Sequence, residues 1–202
     1  MKRRTTAPTV RLKGRGKLFV VSSPSGGGKT TVVRELLKRM PGLTRSVSVT
    51  TRPPRPSERN GAHYRFVSPK QFQRLRARGQ LLEWARVHQA YYGTPCGSVE
   101  RALALGRDVV LSIDVQGARQ IRRKFASRAV LVFLLPPSLD DLRARLMRRK
   151  TETPEAIRKR LAAARQELAA ARGYDYAIVN KRLARAIAQI YAIVVAERLR
   201  VR

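Results

Sequence analysis

Of the 202 residues only one is cysteine, two are histidine and 13 are acidic. The single thiol, Cys96, closes no internal disulfide and has no cysteine neighbour for a metal site, which excludes a disulfide-stapled scaffold and a cysteine-rich zinc module. His63 and His88 stand too far apart in sequence to suggest a metal cluster and read as ordinary side chains. Long apolar runs are also missing. No stretch approaches the roughly 18 residues of a spanning helix, and the basic start Met1-Lys2-Arg3-Arg4 continues into Thr, Ala and Pro instead of a signal-peptide core. The expectation is a cytoplasmic protein in a reducing compartment, with no membrane partner.

The shortage of acid leaves 44 Lys and Arg facing 13 Asp and Glu, a formal charge of +31. Residues 1–15 carry Lys2, Arg3, Arg4, Arg11, Lys13 and Arg15 with no acid, and read as a basic flexible tail. Such a field attracts polyanions of every kind. Two origins stay open, a compositional drift towards Arg and Ala at tolerant surface positions, which the sequence favours, and a surface that binds nucleic acid weakly and non-specifically.

What is abundant is local and specific. The apolar run Leu18-Phe19-Val20-Val21 leads into Ser22-Ser23-Pro24-Ser25-Gly26-Gly27-Gly28-Lys29-Thr30-Thr31, which is followed by an apolar helical pattern at Val32, Val33, Leu36, Leu37 and Met40. Strand, glycine turn and helix N-terminus in that order aim backbone N–H groups at one spot and suit a polyphosphate. Ser25, Gly26, Gly27, Gly28, Lys29, Thr30 and Thr31 are the expected ATP-binding residues, with Lys29 reaching the β- and γ-phosphates and the Thr30 hydroxyl joining the coordination sphere of Mg²⁺. The motif G-x-x-x-x-G-K-[ST] calls for glycine at its first position, where this chain has Ser23.

Beyond Pro41-Gly42 the texture changes to short alternating stretches with turn residues, among them Asn60-Gly61, a hairpin signal. Ser68-Pro69-Lys70-Gln71 carries the marks of a capped helix start, and Gly79 ends that helix. A short helix over 98–105 and a strand over Val109–Ile113 follow. Asp114 stands at the end of that strand, the place where ligands meet an open parallel sheet; an acid in a turn before Gln116-Gly117 is the plainer reading. Residues 129–135 predict another strand. Ser138 to Asp141 opens a helix with Leu139, Leu142 and Leu146 inside, and Thr153-Pro154-Glu155 opens a second with Ile157, Leu161 and Leu168 inward and Arg160 outward. An arginine-bearing helical hairpin beside a phosphate loop is a candidate lid. A last strand at Ala177–Val179 precedes a closing helix marked by Leu183, Ile187, Ile190, Val194 and Leu199.

With these pieces assembled the chain resembles the guanylate kinases from about Gly16 to its end. The resemblance rests on Ser-x-Pro-Ser-Gly-x-Gly-Lys at 22–29, Ser46-Val47-Ser48-Val49-Thr50-Thr51-Arg52-x-x-Arg55, Asn60-Gly61-x-x-Tyr64-x-Phe66, Leu82-Glu83-Trp84-Ala85, Tyr91-Tyr92-Gly93-Thr94, Ile113-Asp114-x-Gln116-Gly117 and Arg149-x-Thr151-Glu152. It implies transfer of the ATP γ-phosphate to GMP, with Mg²⁺ as cofactor. The implied fold is α/β: a phosphate-loop kinase core of parallel sheet flanked by helices (16–47, 99–137 and 172–202), an inserted mixed GMP-binding arm (48–98) and a helical lid (138–171).

By the same resemblance Arg52 and Arg55 bind the GMP phosphate with Tyr64 and Tyr92, and Glu83 reads the guanine with Ser48 and Thr94 donating to O6. Gly93 and Asp114 complete the GMP set, and Arg145, Arg149 and Arg160 close over the transferred group beside Lys29. The resemblance also marks departures: Ser112 stands where relatives carry the first acid of Asp-Ile-Asp, and Lys181-Arg182 follow Asn180 where acid is usual. Two other readings stay open at this point, a kinase with a different phosphate acceptor and a basic binding module for RNA or phosphorylated partners. Monomer and homo-oligomer are equally compatible with the sequence.

Overall fold

A computed structural model describes residues 16–87, 89–147 and 153–201. The basic tail, His88, and Arg149 with its neighbours Arg148 and Lys150 to Glu152 lie outside the described residues. Five parallel strands form the central sheet in the order β2-β7-β1-β8-β9. These are β1 (Leu18–Ser22), β2 (Leu43–Arg45), β7 (Asp108–Ser112), β8 (Ala129–Leu135) and β9 (Tyr176–Val179). All five residues of β1 are buried, as expected of a central strand covered on both faces.

Alternation along β1 divides the core. Phe19 and Val21 pack against Val32, Val33 and Leu36 of α1 (Lys29–Arg39) and Ile187, Ile190 and Val194 of α7 (Leu183–Leu199). Leu18 and Val20 face the other way, towards Val99 of α3 (Cys96–Ala104) and Ala118 and Ile121 of α4 (Val115–Phe125). Helix α4 has no counterpart in the sequence reading, and Asp114 is its N-cap, accepting the Gly117 N–H at 3.0 Å. Leu183 and Leu199 bound α7 as the sequence marks it; both are exposed, at 40% and 64%, so the buried face is confined to the middle turns.

A second sheet, in the order β4-β3-β6-β5, is built from β3 (Val49–Thr50), β4 (Arg65–Phe66), β5 (Leu81–Val87) and β6 (Ala90–Pro95). Its small core of Val49, Phe72 and Leu81 is separate from the main one, with Phe72 supplied by α2 (Pro69–Ala77). The capping box of α2 is formed as expected: the Ser68 hydroxyl accepts from Gln71 N and the Gln71 side chain accepts from Ser68 N. Asn60-Gly61 does not join an antiparallel hairpin. β3 and β4 run parallel, so the chain between them is a crossover, and Asn60 turns it by accepting the Phe66 N–H on its side chain at 3.0 Å. Gly61, at φ +79°, supplies the left-handed residue of that turn.

Helices α5 (Leu139–Met147) and α6 (Pro154–Ala169) share a third cluster, Leu142, Leu146 and Ala164, with Ile157 and Leu161 beside it. Among the described residues no helix is long and apolar enough to cross a membrane.

Candidate active site

The loop between β1 and α1 lies at the carboxyl end of the central sheet. Gly26 and Gly28 adopt φ +90° and +95°, which is why the chain can turn there without side-chain strain, and Gly28 is the N-cap of α1. Lys29 folds back so that its ammonium donates to the Ser23 carbonyl at 2.7 Å. Thr30 and Thr31 occupy the first turn of α1, Thr30 exposed. Ser23, the residue that departs from the motif, is buried. A Cβ at Gly27 would fall 2.6 Å from the Ser23 hydroxyl oxygen and 2.8 Å from its Cβ, so the extra side chain at the first position occupies space that the glycine at the fifth leaves empty.

The loop is held from two sides. The Asn180 side-chain amide, just past β9, donates to the Gly27 carbonyl at 2.9 Å, and the Asn180 carbonyl accepts from Arg145 of α5 at 2.8 Å. Leu142 and Leu146 of α5 pad Gly26, and Arg160 of α6 reaches the Ser25 hydroxyl at 3.3 Å. Arg160 is therefore turned towards the loop, contrary to the outward orientation expected, because the apolar stripe of α6 packs on α5 and brings that flank over the glycines. Arg145 anchors the α5–α6 hairpin to β9 and borders neither of the two cavities described next.

A cavity of about 170 Å³ runs from the loop to the second sheet, bordered by Ser23, Ser25, Lys29, Ser48, Tyr64, Glu83, Tyr92, Ser112, Asp114 and Glu167. Glu83, from β5, is 3% exposed. Burial pushes its carboxyl up to about 7 and the nearby Asp114 charge adds to this, while the Thr94 hydroxyl and Lys124 oppose it. The room for that carboxylate comes from Gly117 in the first turn of α4, where a Cβ would sit 2.2 Å from Glu83 Oε2. Thr94 is fully buried and donates its hydroxyl to Glu83 Oε1 at 2.6 Å. That proton is directed at the carboxylate, so in this arrangement Thr94 supports Glu83. Gly93 faces Phe72 and Leu81 within the second sheet, where a side chain would collide, and contributes packing there.

Next to this cavity a more open cleft of about 650 Å³ is bordered by Arg52, Arg55, Tyr92, Lys159 and Arg160. Arg52 donates to the Tyr92 hydroxyl at 3.2 Å and to both carboxylate oxygens of Glu58 at 2.8 and 2.9 Å. Its guanidinium lies 5.7 Å from the centroid of the Tyr64 ring, and Tyr64 meets Tyr92 edge-on. Burial works against the Glu58 charge, yet the Arg55 N–H and Arg52 hold its carboxyl below the usual range. Burial raises the Tyr64 phenol.

Four residues of this region went unassigned in the sequence reading. Glu58, three residues after Arg55, and Lys159, one before Arg160, were visible as charges at helical or turn spacing. Gly117 was visible only as part of the Ile113-Asp114-x-Gln116-Gly117 motif with no role attached, and Glu167 gave no local signal, since each matters through a contact made by the folded chain. Among the described residues no group of three or more His, Cys, Asp or Glu could hold a metal ion.

The chain is similar to known proteins over nearly its whole length. The family model described as guanylate kinase matches residues 15–197. The chain is 50% identical to the guanylate kinase of Chelativorans sp. (strain BNC1), over 97% of this chain and 90% of that protein. It is also 50% identical to that of Symbiobacterium thermophilum, over 93% and 89%. Among solved structures, the guanylate kinase of Anaplasma phagocytophilum superposes with a TM-score of 0.80 at 33% identity, covering 94% of this chain and 89% of the other.

Proposed function

This chain belongs to the guanylate kinase family, and on that premise we propose that it transfers the γ-phosphate of ATP to GMP, giving ADP and GDP. The observation that carries the assignment is the buried carboxylate of Glu83 in a cavity that opens directly onto the phosphate loop. A carboxylate pairs with the N1–H and exocyclic amine of guanine, both donors, and opposes the acceptor N1 of adenine. Family membership favours this reading over a different acceptor or a purely binding role.

We assign the ATP phosphates to the backbone of residues 25–31 and to Lys29, whose ammonium would exchange the Ser23 carbonyl for phosphate oxygens. The GMP phosphate is assigned to the cleft of Arg52, Arg55 and the Tyr92 hydroxyl, where guanidinium forks suit its oxygens. Ser48 and Tyr64 border the guanine cavity beside Glu83. Arg160, next to that cleft and hydrogen-bonded to the loop, is positioned to bind charge that builds on the transferred group, and Arg149 is placed with it by sequence alone. The donor set fits Mg²⁺, with the Thr30 hydroxyl as the protein ligand; when bound, the ion would neutralise phosphate charge in the transition state. The second sheet then serves as the nucleoside-monophosphate arm and the α5–α6 hairpin as the lid.

The test is a coupled assay of ADP release with GMP, dGMP, AMP, CMP and UMP as acceptors, run on the wild-type chain and on Glu83→Gln. GMP should be strongly preferred by the wild type. In the variant kcat/KM for GMP should fall steeply while the ratio over AMP narrows, because a site that loses a charged acceptor loses its discrimination, which can reach about 10⁴-fold for hydrogen-bonding sites. An unchanged ratio would place guanine recognition elsewhere.

A further inference from the structure

Glu167 lies on the last turns of α6, two helical turns after Arg160, and both side chains turn towards Ser25 of the phosphate loop: Arg160 donates to its hydroxyl, and the Glu167 carboxyl is close enough to feel its backbone N–H. Its carboxylate oxygen Oε2 is sealed from solvent and has no hydrogen-bond partner among the described residues. Burial raises the Glu167 carboxyl, with Lys29 and the Ser25 N–H opposing the shift. An ionised oxygen in that condition costs folding free energy unless a donor arrives to satisfy it.

Three carboxylates border the cavity beside the loop, and the other two are occupied differently. Asp114 has both oxygens engaged, one by the Gly117 N–H and one by the Gln116 amide, and Glu83 is held by Thr94 at the far, second-sheet end. At the end of β7, facing the same space, stands Ser112, which brings a hydroxyl and no charge. The idle acceptor nearest the loop is therefore on the lid helix. The one bound species that would bring several O–H donors to that place is the hydration shell of a divalent cation, because Mg²⁺ keeps several of its waters when held by one hydroxyl and phosphates.

We propose that Glu167 is a positioning residue for the nucleotide-bound divalent cation, accepting a hydrogen bond from one of its coordinated waters and so linking metal binding to the seating of the lid helix on the phosphate loop. The inference rests on the ATP-binding reading given above. Its distinguishing feature is that the outer-sphere carboxylate comes from α6, not from the strand end where Ser112 stands.

Glu167→Gln tests it. The amide keeps one acceptor oxygen and puts a donor in place of the other, which opposes a metal-bound water. With Mn²⁺ as the probe, the affinity of the ion for the complex of the full chain with ADP is read by electron paramagnetic resonance, and ADP affinity without metal by calorimetry. Loss of an outer-shell partner of this kind typically weakens metal binding by about 10–100-fold. The expected result is a drop of that order in Mn²⁺ affinity with metal-free ADP affinity unchanged or tighter and the apo melting temperature unchanged. Equal Mn²⁺ affinity in the two proteins, with or without a lower melting temperature in the variant, would reduce Glu167 to a structural latch. A wild type that binds neither ADP nor Mn²⁺ with ADP would instead overturn the ATP-binding reading itself.

Discussion

Ser23 and Gly27 form a compensated pair. The side chain at the first loop position fits only because the fifth position has none, so Gly27→Ala forces a methyl against the Ser23 hydroxyl. Overpacking of this kind costs about 1–3 kcal/mol. Adding Ser23→Gly should recover much of that loss, and urea unfolding of the two single variants and the double variant reads the coupling directly. Additive effects would mean that the Pro24 carbonyl, 3.0 Å from the same position, sets the penalty instead. A second prediction concerns Glu83. Its folded-state pKa of about 7 lies above the ordinary carboxylate value, so its protonated form is the one the empty fold prefers. The stability it contributes is fully present below the ordinary carboxylate pKa and is lost as pH rises towards and through about 7. Guanine needs the ionised form, so GMP binding near pH 6.5 should release a proton, detected by calorimetry in buffers of different ionisation enthalpy. That release should fade above pH 8 and be absent in Glu83→Gln. Ser23 was readable as a departure from a motif; that Gly27 makes room for it was not, because the distance between them exists only once the turn is closed.

At the level of elements, the parts that could be read from sequence are those whose signal is local. β1, α1, β8 and the capped start of α2 follow from unbroken apolar runs, helical periodicity and a capping box, and each is found where those patterns put it. Helix α4 escaped because its sequence, Val-Gln-Gly-Ala-Arg-Gln-Ile-Arg-Arg-Lys-Phe, presents a glycine in the first turn and few apolar residues. It is a helix for tertiary reasons: Asp114 caps it, Ala118 and Ile121 bury against β1, and Gln120 brackets the backbone of Trp84. The glycine that weakens its helical signal is the one that admits the Glu83 carboxylate. The Asn60-Gly61 signal was misleading in the opposite sense: the local turn forms, but the pairing of β3 with β4 is decided by neighbours in the sheet. For the site, the phosphate loop and the Arg52 region were legible as motifs, whereas the inward aim of Arg160 depends on how α6 rolls over α5.

For the whole molecule the dominant fact is the formal charge of +31. Six of the 13 acids are held in ion pairs among the described residues: Glu35 to Arg34 and Lys38, Glu58 to Arg52, Asp108 to Arg198, Glu155 to Lys159, Asp175 to Arg122, and Glu197 to Lys17 and Arg200. Glu83, Asp114 and Glu167 line the interior cavity. Little negative charge remains to offset the field outside, so single-stranded RNA should bind weakly and with a steep salt dependence. Removing residues 1–15, which hold six cations, should reduce the slope of log K against log salt by up to about 4 if all six meet phosphates. Binding that is indifferent to the deletion would mark the charge as compositional.

The hydrogen bond from Asn180 to the Gly27 carbonyl also has a meaning in time. A ribosome delivers the phosphate loop early and Asn180 near the end, and β1 has no sheet to join until its partners β7 and β8 have been made. At about 5–20 residues per second, the interval between the loop and the residue that holds it is roughly 10–30 s. For that interval the nascent chain carries the glycine turn without the amide that fixes its shape. Competence to grip a nucleotide therefore comes last, as the final strand docks, and a chain interrupted before β9 is born unable to hold its own first motif in place.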